Sequence, residues 1–292
     1  MTSIAFGDHV RGSPTGALLP APVRPDRYRL YEAAVQDVDF DLDFFRSVYR
    51  RLRGTGFERL REDFCGTARL ACTWVERRRS HRAWAIDLSA APLAWARANH
   101  LPSIGAAAQR LRLLRGDVRR VRTPPVDVIA ALNCSYWVFK RRPQLLDYFR
   151  RTRGALAPGG LLFLDLFGGE GAMRALVERR RVRGTRSKEG ERVPPFTYVW
   201  EQKEYNPVEN GLRAAIHFEL AGGRTLRNAF QYDWRMWSLP ELVESLREAG
   251  FADAQVYVQG WDDARNEALS VYRRRARFEN QEAWLGYVVG VK

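Results

Sequence analysis

One run limits this chain more than any other: Val126-Asp-Val-Ile-Ala-Ala-Leu132, apolar at every position but one. A half-buried strand alternates polar and apolar residues, and this run does not. It reads as a strand covered on both faces, the kind found at the centre of a parallel sheet flanked by helices. At 292 residues the chain is long enough for one large domain, or one domain with an insert.

The segments around that strand alternate in kind. A strand is expected over Phe57 to Glu62, then a helix over Thr67 to Arg79 with Leu70, Ala71, Trp74 and Val75 on one face. Ala83 to Ile86 reads as a second strand ending at Asp87, and Ser89 and Pro92 suit the start of the next helix. Leu111 to Leu114 reads as a third strand, Arg142 to Leu156 as a helix, and Leu161 to Leu164 as the strand after the Pro158-Gly-Gly160 turn. Strand and helix in alternation mark an α/β fold with a doubly wound sheet.

The period then changes. Phe196 to Tyr205, Leu212 to Leu220 and Thr225 to Trp234 are strand-like runs joined by Asn206-Pro-Val-Glu-Asn-Gly211 and Ala221-Gly-Gly223, which predicts a three-stranded antiparallel insert. Ser238-Leu-Pro-Glu241 is a capping box for a helix ending at Gly250. Ala254 to Val258 and Trp284 to Val291 would complete a seven-stranded sheet. Before the first strand, residues 26–56 show helical spacing with a break near Asp39 to Asp43, and residues 1–25 read as a flexible tail. The expected organisation is therefore a tail over 1–25, a helical lid over 26–56 and the main domain over 57–292, with the insert at 172–237.

Ligands of open α/β sheets bind at the carboxyl ends of the strands. Four such ends carry suitable residues here: Glu62 to Ala68 with its small Gly66, then Asp87, then Gly116-Asp117-Val118, then Asn133-Cys-Ser-Tyr136. Gly66 lets backbone approach a ligand. Asp87 can accept from two ribose hydroxyls, Asp117 from an adenine amino group, and Asn133 to Tyr136 lie where a transferred group would sit. A full Gly-x-Gly-x-x-Gly and a Gly-x-x-x-x-Gly-Lys loop are both missing, and the four histidines form no metal-ligand pattern.

With those residues in place, the chain resembles the class I S-adenosylmethionine-dependent methyltransferases over residues 26–292. The family's first motif is acidic-x-Gly-x-Gly-x-Gly. Glu62 and Gly66 match it, while Phe64 and Ala68 replace the other two glycines. Asp87 and Asp117 match the ribose and adenine acids, and Leu156-Ala-Pro-Gly-Gly160 resembles the turn before a later strand. The resemblance implies a Rossmann-like, seven-stranded sheet with helices on both faces and an antiparallel β insert after the fifth strand. It implies S-adenosylmethionine as cofactor, held by Tyr31 of the lid, by Glu62, Cys65, Gly66 and Thr67, and by Asp87, Leu88, Asp117, Val118 and Asn133. Tyr28 and Gln36 are further candidate contacts.

The insert is similar to that of N-methyltransferases acting on glycine-like amines or amino sugars, where it walls the substrate site. Tyr136, Trp137, Glu201, Tyr232, Arg235 and Trp237 are the implied substrate contacts. Tyr136 and His217 are the candidate catalytic groups. The implied reaction is in-line displacement onto N or O of a small-molecule acceptor. Two alternatives stay open: a nucleic-acid methyltransferase, since Asn133 to Tyr136 has the ends of an Asn-Pro-Pro-Tyr motif, and an inert protein that only binds the cofactor.

The net charge of +14 bears on the first alternative. Only four of 48 basic residues are lysines, and the arginines are scattered without an aromatic-interleaved stripe. Nucleic acid is therefore a secondary expectation. Cys65, Cys72 and Cys134 give no disulfide framework or zinc pattern. No apolar run reaches membrane-spanning length and no secretory leader is evident, so a cytoplasmic protein without a membrane partner is expected.

Overall fold

The computed structural model describes residues 26–187, 189–262 and 267–292. The tail expected over 1–25 lies outside them. In chain order come α1 (Arg27–Val35), α2 (Val38–Arg53), β1 (Arg59–Asp63), α3 (Arg69–Arg77), β2 (Arg82–Asp87), α4 (Ala90–Ser103), β3 (Leu111–Arg115) and β4 (Val126–Ala131). Then follow α5 (Arg142–Ala155), β5 (Leu156–Gly168), β6 (Leu176–Val182), β7 (Thr185–Arg186) and β8 (Arg192–Val193). The chain closes with β9 (Phe196–Asn206), β10 (Gly211–Leu220), β11 (Thr225–Arg235), α6 (Leu239–Glu248), β12 (Asp253–Asp262), β13 (Glu267–Arg274) and β14 (Trp284–Val291).

The main sheet runs β13-β12-β14-β5-β4-β1-β2-β3. The five strands β1 to β5 are parallel, and β14 is antiparallel to both β5 and β12. Every apolar residue of β4 is fully buried. Ile129 and Ala131 join Leu162 and Leu164 in one core, while Val128 and Ala130 join Leu161, Phe163 and the Phe45 ring of α2 in the other. Two cores, one per face, are what the opening run required.

The seven expected strands are all present, and β13 adds an eighth. It forms because β12 continues to Asp262, past the expected Val258, and offers an edge that β13 pairs antiparallel. Its charged ends mask it in the sequence. The insert likewise has four strands, β11-β10-β9-β6, not three. The fourth, Leu176-Val-Glu-Arg-Arg-Arg-Val182, reads as a charge run. Its exposure nevertheless alternates residue by residue, as a strand with one covered face must.

Two boundaries move for identifiable reasons. The first helix break falls at Gln36-Asp37, not at Asp39 to Asp43, because Asp37 caps α2 by accepting from the Phe40 amide at 3.1 Å. Asp39 and Asp41 then sit in the first turn, where carboxylates suit the helix dipole. The charges of β1 are buried because they are paired. Arg61 donates to Asp63 at 2.7 Å and to the Val118 carbonyl at 2.6 Å, and the Tyr148 hydroxyl donates to Asp63 at 3.0 Å. The capping box of α6 forms as expected, with Ser238 and Glu241 bonded reciprocally. Among the described residues, no helix is long and apolar enough to cross a membrane.

Candidate active site

The strand order reverses between β1 and β4, and the carboxyl edge there opens into a cavity of about 750 Å³. That is a size small-molecule sites commonly have. The loops after β1, β2 and β4 and the carboxyl end of β5 contribute to its wall, together with α1, the start of α2 and residues of β6, β9, β10 and β11.

The loop after β1 turns left-handed at alternate positions: Phe64 at φ 56°, Gly66 at 52° and Ala68 at 57°. These are the three glycine positions of the resembled motif, so the backbone path is kept where two glycines are lost. A left-handed residue with a Cβ costs roughly 1–2 kcal/mol, and contacts hold both in place. The Cys65 amide donates to the Ile86 carbonyl at 2.9 Å, and the Ala68 amide to the Cys65 carbonyl at 2.7 Å. The Phe64 ring packs edge-on against Phe139 and Tyr148, each 5.8 Å away.

The Gly66 amide donates to Asp87 Oδ2 at 2.8 Å, and the Ser89 amide to Asp87 Oδ1 at 2.8 Å. Ser89 itself makes no side-chain cap to α4. A Cβ built on Gly66 would meet no protein atom within 4 Å, so the space over it belongs to the cavity. Open space over a glycine, beside a carboxylate with lone pairs to spare, fits the ribose end of a nucleoside. Glu62 accepts from the Ala71 amide at 2.9 Å, tying β1 to α3; burial pushes its carboxyl up to about 8, against that bond.

A buried ionic network fixes α1 over this loop. Glu32 accepts from the Thr67 hydroxyl at 2.6 Å and pairs with Arg69 at 3.1 Å. His100 bridges Glu32 and Glu189, each at 2.7 Å, and Glu189 pairs with Arg29 at 2.9 Å. Burial alone would lower His100, but its bonds to Glu189 and Glu32 prevail and raise it to about 9. One cluster thus joins α1, the loop after β1, α4 and the β7–β8 turn. The sequence reading missed it because its members are remote along the chain.

Among the described residues, the wall carries eight carboxylates against two arginines, in a chain of net charge +14. Most are engaged: Asp63 by Arg61, Asp233 by Lys140, Asp87 by amides. The turn after β4 is also left-handed, with Asn133 at φ 56° and Cys134 at 53°. Their amides donate to Asp165 at 2.7 and 2.8 Å. The insert faces the cavity with rings at alternate positions, Tyr198 and Trp200 on β9, and Phe230, Tyr232 and Trp234 on β11. Asp165 and Asp41 were not singled out from sequence. An acid closing the apolar run Leu161 to Leu164 was the available signal for Asp165.

Of the expected site residues, the structure brings Tyr31, Glu62, Cys65, Gly66, Thr67, Asp87, Asn133 and Tyr232 to this wall, with Tyr28 and Gln36. The others stand elsewhere. Leu88 and Asp117 lie just after β2 and β3; Leu88 is 71% exposed, and Asp117 is held by Arg119 at 2.6 Å. Val118 is buried, and its carbonyl serves Arg61.

The Tyr136 hydroxyl donates to the Asp165 carbonyl at 2.9 Å, beneath the turn, and Trp137 is buried against Phe167 and Trp234. His217 lies on the face of β10 opposite Ile216 and Phe218, paired with Glu201 at 2.9 Å, so strand alternation turns both away from the cavity. Arg235 stacks 3.9 Å over Trp237 and pairs with Glu241, and the Trp237 indole donates to the Phe139 carbonyl at 3.2 Å.

Comparison with known proteins matches residues 63–164 to a methyltransferase domain family. No curated protein matches the sequence. Among solved structures, the chain is similar to CalS10, an amino pentose methyltransferase from Micromonospora echinaspora, at 17% identity and TM-score 0.62, covering 92% of this chain and 99% of that one. It is similar to DesVI of Streptomyces venezuelae at 16% identity and TM-score 0.62, covering 90% and 94%. The sugar N-methyltransferase KedS8 from Streptoalloteichus matches at 19% identity and TM-score 0.60, covering 97% and 99%. At such identities the likeness establishes the fold.

Proposed function

We propose that this chain, a class I S-adenosylmethionine-dependent methyltransferase, transfers the methyl group to the amine nitrogen of a small, cationic acceptor. One observation carries the reading: a basic protein has an acidic, ring-lined cavity. A polyanion would be repelled by that wall, while an ammonium is attracted by its carboxylates and by aromatic faces. The amino-sugar and sugar N-methyltransferases that share the fold support the same class of acceptor.

The cofactor supplies a methyl group already activated on a sulfonium. What falls to the protein is alignment, exclusion of water and handling of the acceptor's proton. Alignment is worth on the order of 7–11 kcal/mol at best. Gly66 and Thr67 take the cofactor's closest approach, Asp87 its ribose, and Leu88, Asp117 and Val118 its adenine end. Asn133 and Tyr31 hold the end bearing the methyl group, and Tyr232 with the other insert rings holds the acceptor. His217, Glu201, Tyr136, Trp137, Arg235 and Trp237 support that wall from behind. The three described cysteines are buried and outside any disulfide, which suits the reducing cytoplasm in which we place the enzyme.

The test is a screen with methyl-labelled S-adenosylmethionine against small amines, alcohols and total RNA. Label on an amine is the expected result. Label confined to RNA or to hydroxyl groups overturns the reading, and binding without turnover on any acceptor makes the protein an inert binder.

A further inference from the structure

Asp41 and Asp165 are among the cavity-wall carboxylates that form no ion pair among the described residues; Asp37, Glu62 and Asp87 are the others, and each of those is engaged by backbone amides. Asp41, in the first turn of α2, has only its Oδ1 engaged, by the Tyr287 hydroxyl. Asp165 receives the amides of Cys134 and Asn133 at 2.8 and 2.7 Å. The two are neighbours, since β14 pairs with β5 so that Tyr287 stands opposite Asp165. The Tyr272 ring packs 4.9 Å from that of Tyr287, so rings border the pair. Both are half-buried, and holding a carboxylate partly out of water without a counter-charge is unfavourable. The cavity they face is where a cation would relieve that cost.

We infer that Asp165 holds the acceptor's ammonium and that Asp41 takes its proton. This rests on the amine reading above. The division of labour follows from their partners. Burial pushes the Asp165 carboxyl up to about 6, and the two amides restrain the rise, so it stays charged at neutral pH. Burial pushes Asp41 up to about 8; the Tyr287 hydroxyl opposes this, and the charges of Asp165 and Asp37 add to it. The titratable groups facing Asp41 are Tyr287 of β14, Tyr272 of β13, Asp165 of β5, Glu62 of β1 and Asp37 at its own helix start. A base with a pKa near the working pH is the most effective one.

The step balances. Asp41 accepts one proton from the ammonium and becomes a neutral acid. The freed nitrogen pair forms the N–C bond as the C–S bond breaks; the sulfur keeps the C–S bonding pair as a neutral thioether, and the positive charge passes to the methylated nitrogen, which leaves as an ammonium. Asp41 then returns its proton to water.

Cyclohexylamine and cyclohexanol serve as matched probes on protein loaded with S-adenosylhomocysteine, with binding read by calorimetry. The wild type should bind the ammonium at least tenfold tighter than the alcohol, and Asp165→Asn should remove that preference. Asp41→Asn should lower kcat/KM for the amine found in the screen about 100-fold and abolish the limb that rises with pH. Asp41→Glu should restore that limb. Tyr287→Phe should move it to higher pH, because the lost hydrogen bond favours the carboxylate.

Equal binding of amine and alcohol by the wild type overturns the ammonium site. An unchanged pH profile in Asp41→Asn overturns the base while leaving amine methylation standing. Weakened S-adenosylhomocysteine binding in either variant, with acceptor affinity intact, overturns both by assigning the pair to the cofactor. Should Asp165→Asn fail to fold, the Asp41 and Tyr287 variants decide.

Discussion

Asp165 holds Asn133 in a left-handed backbone conformation: its Oδ2 accepts the Asn133 amide at 2.7 Å, where φ is 56°. The adjacent Cys134, at φ 53°, is bound to Oδ1 of the same carboxylate. Two consecutive strained residues thus depend on one side chain from the next strand. Hydrogen bonds to a charged group contribute about 1.5–3 kcal/mol each. Asp165→Ala should therefore destabilise the protein by about 3 kcal/mol, read by urea unfolding at neutral pH. A loss below about 1 kcal/mol would show that the turn is held by other contacts.

Gly66 has room beside it but an unfavourable φ of 52°. Gly66→Val should cost about 1–2 kcal/mol of stability, leaving the protein folded, while its side chain fills the space over the loop. Titration with S-adenosylhomocysteine should show binding abolished. Retained affinity removes this loop from the cofactor site.

The Glu32–His100–Glu189 cluster predicts a pH dependence with a definite sign. The folded value of His100, about 9, lies above the ordinary 6.5. Its stabilisation is therefore complete below about pH 6.5 and is lost as pH rises through about 9. The stability difference between wild type and His100→Gln should shrink across that window by on the order of 3 kcal/mol. A difference that stays flat from pH 6.5 to 9.5 would show that His100 is neutral in the fold.

The arginines predict a weak response to salt. An enzyme making six phosphate contacts loses roughly 10³ in affinity between 50 and 200 mM salt. A small amine meets a cavity wall screened from bulk ions, so KM should change by less than about threefold over that range. Total RNA added as competitor should leave the rate unchanged. Steep inhibition by RNA would restore nucleic acid as the acceptor.

The loop after β1 shows how far sequence reading carries and where it stops. Two lost glycines made its motif look incomplete, yet Phe64 and Ala68 adopt the glycine-like φ at their positions. Their strain is held by Ile86, Phe139 and Tyr148, partners that no local pattern announces. Likewise β6 escaped notice because its charges hide a period of two, which becomes visible only against β9, and β13 because it forms only on the edge that β12 offers.

By itself the amino-acid order determined the α/β class, the central strand, the capping box at Ser238 and the line of acids at successive strand ends. Each of these depends on hydrophobic period or on partners a few residues apart. Tertiary structure alone decided which polar side chains share the cavity. It turned His217 and Glu201 outward by strand register, put Tyr136 beneath its own turn, and brought Asp41 and Asp165 together from α2 and β5. A side chain's surroundings are set by residues far along the chain, and residue type does not encode them.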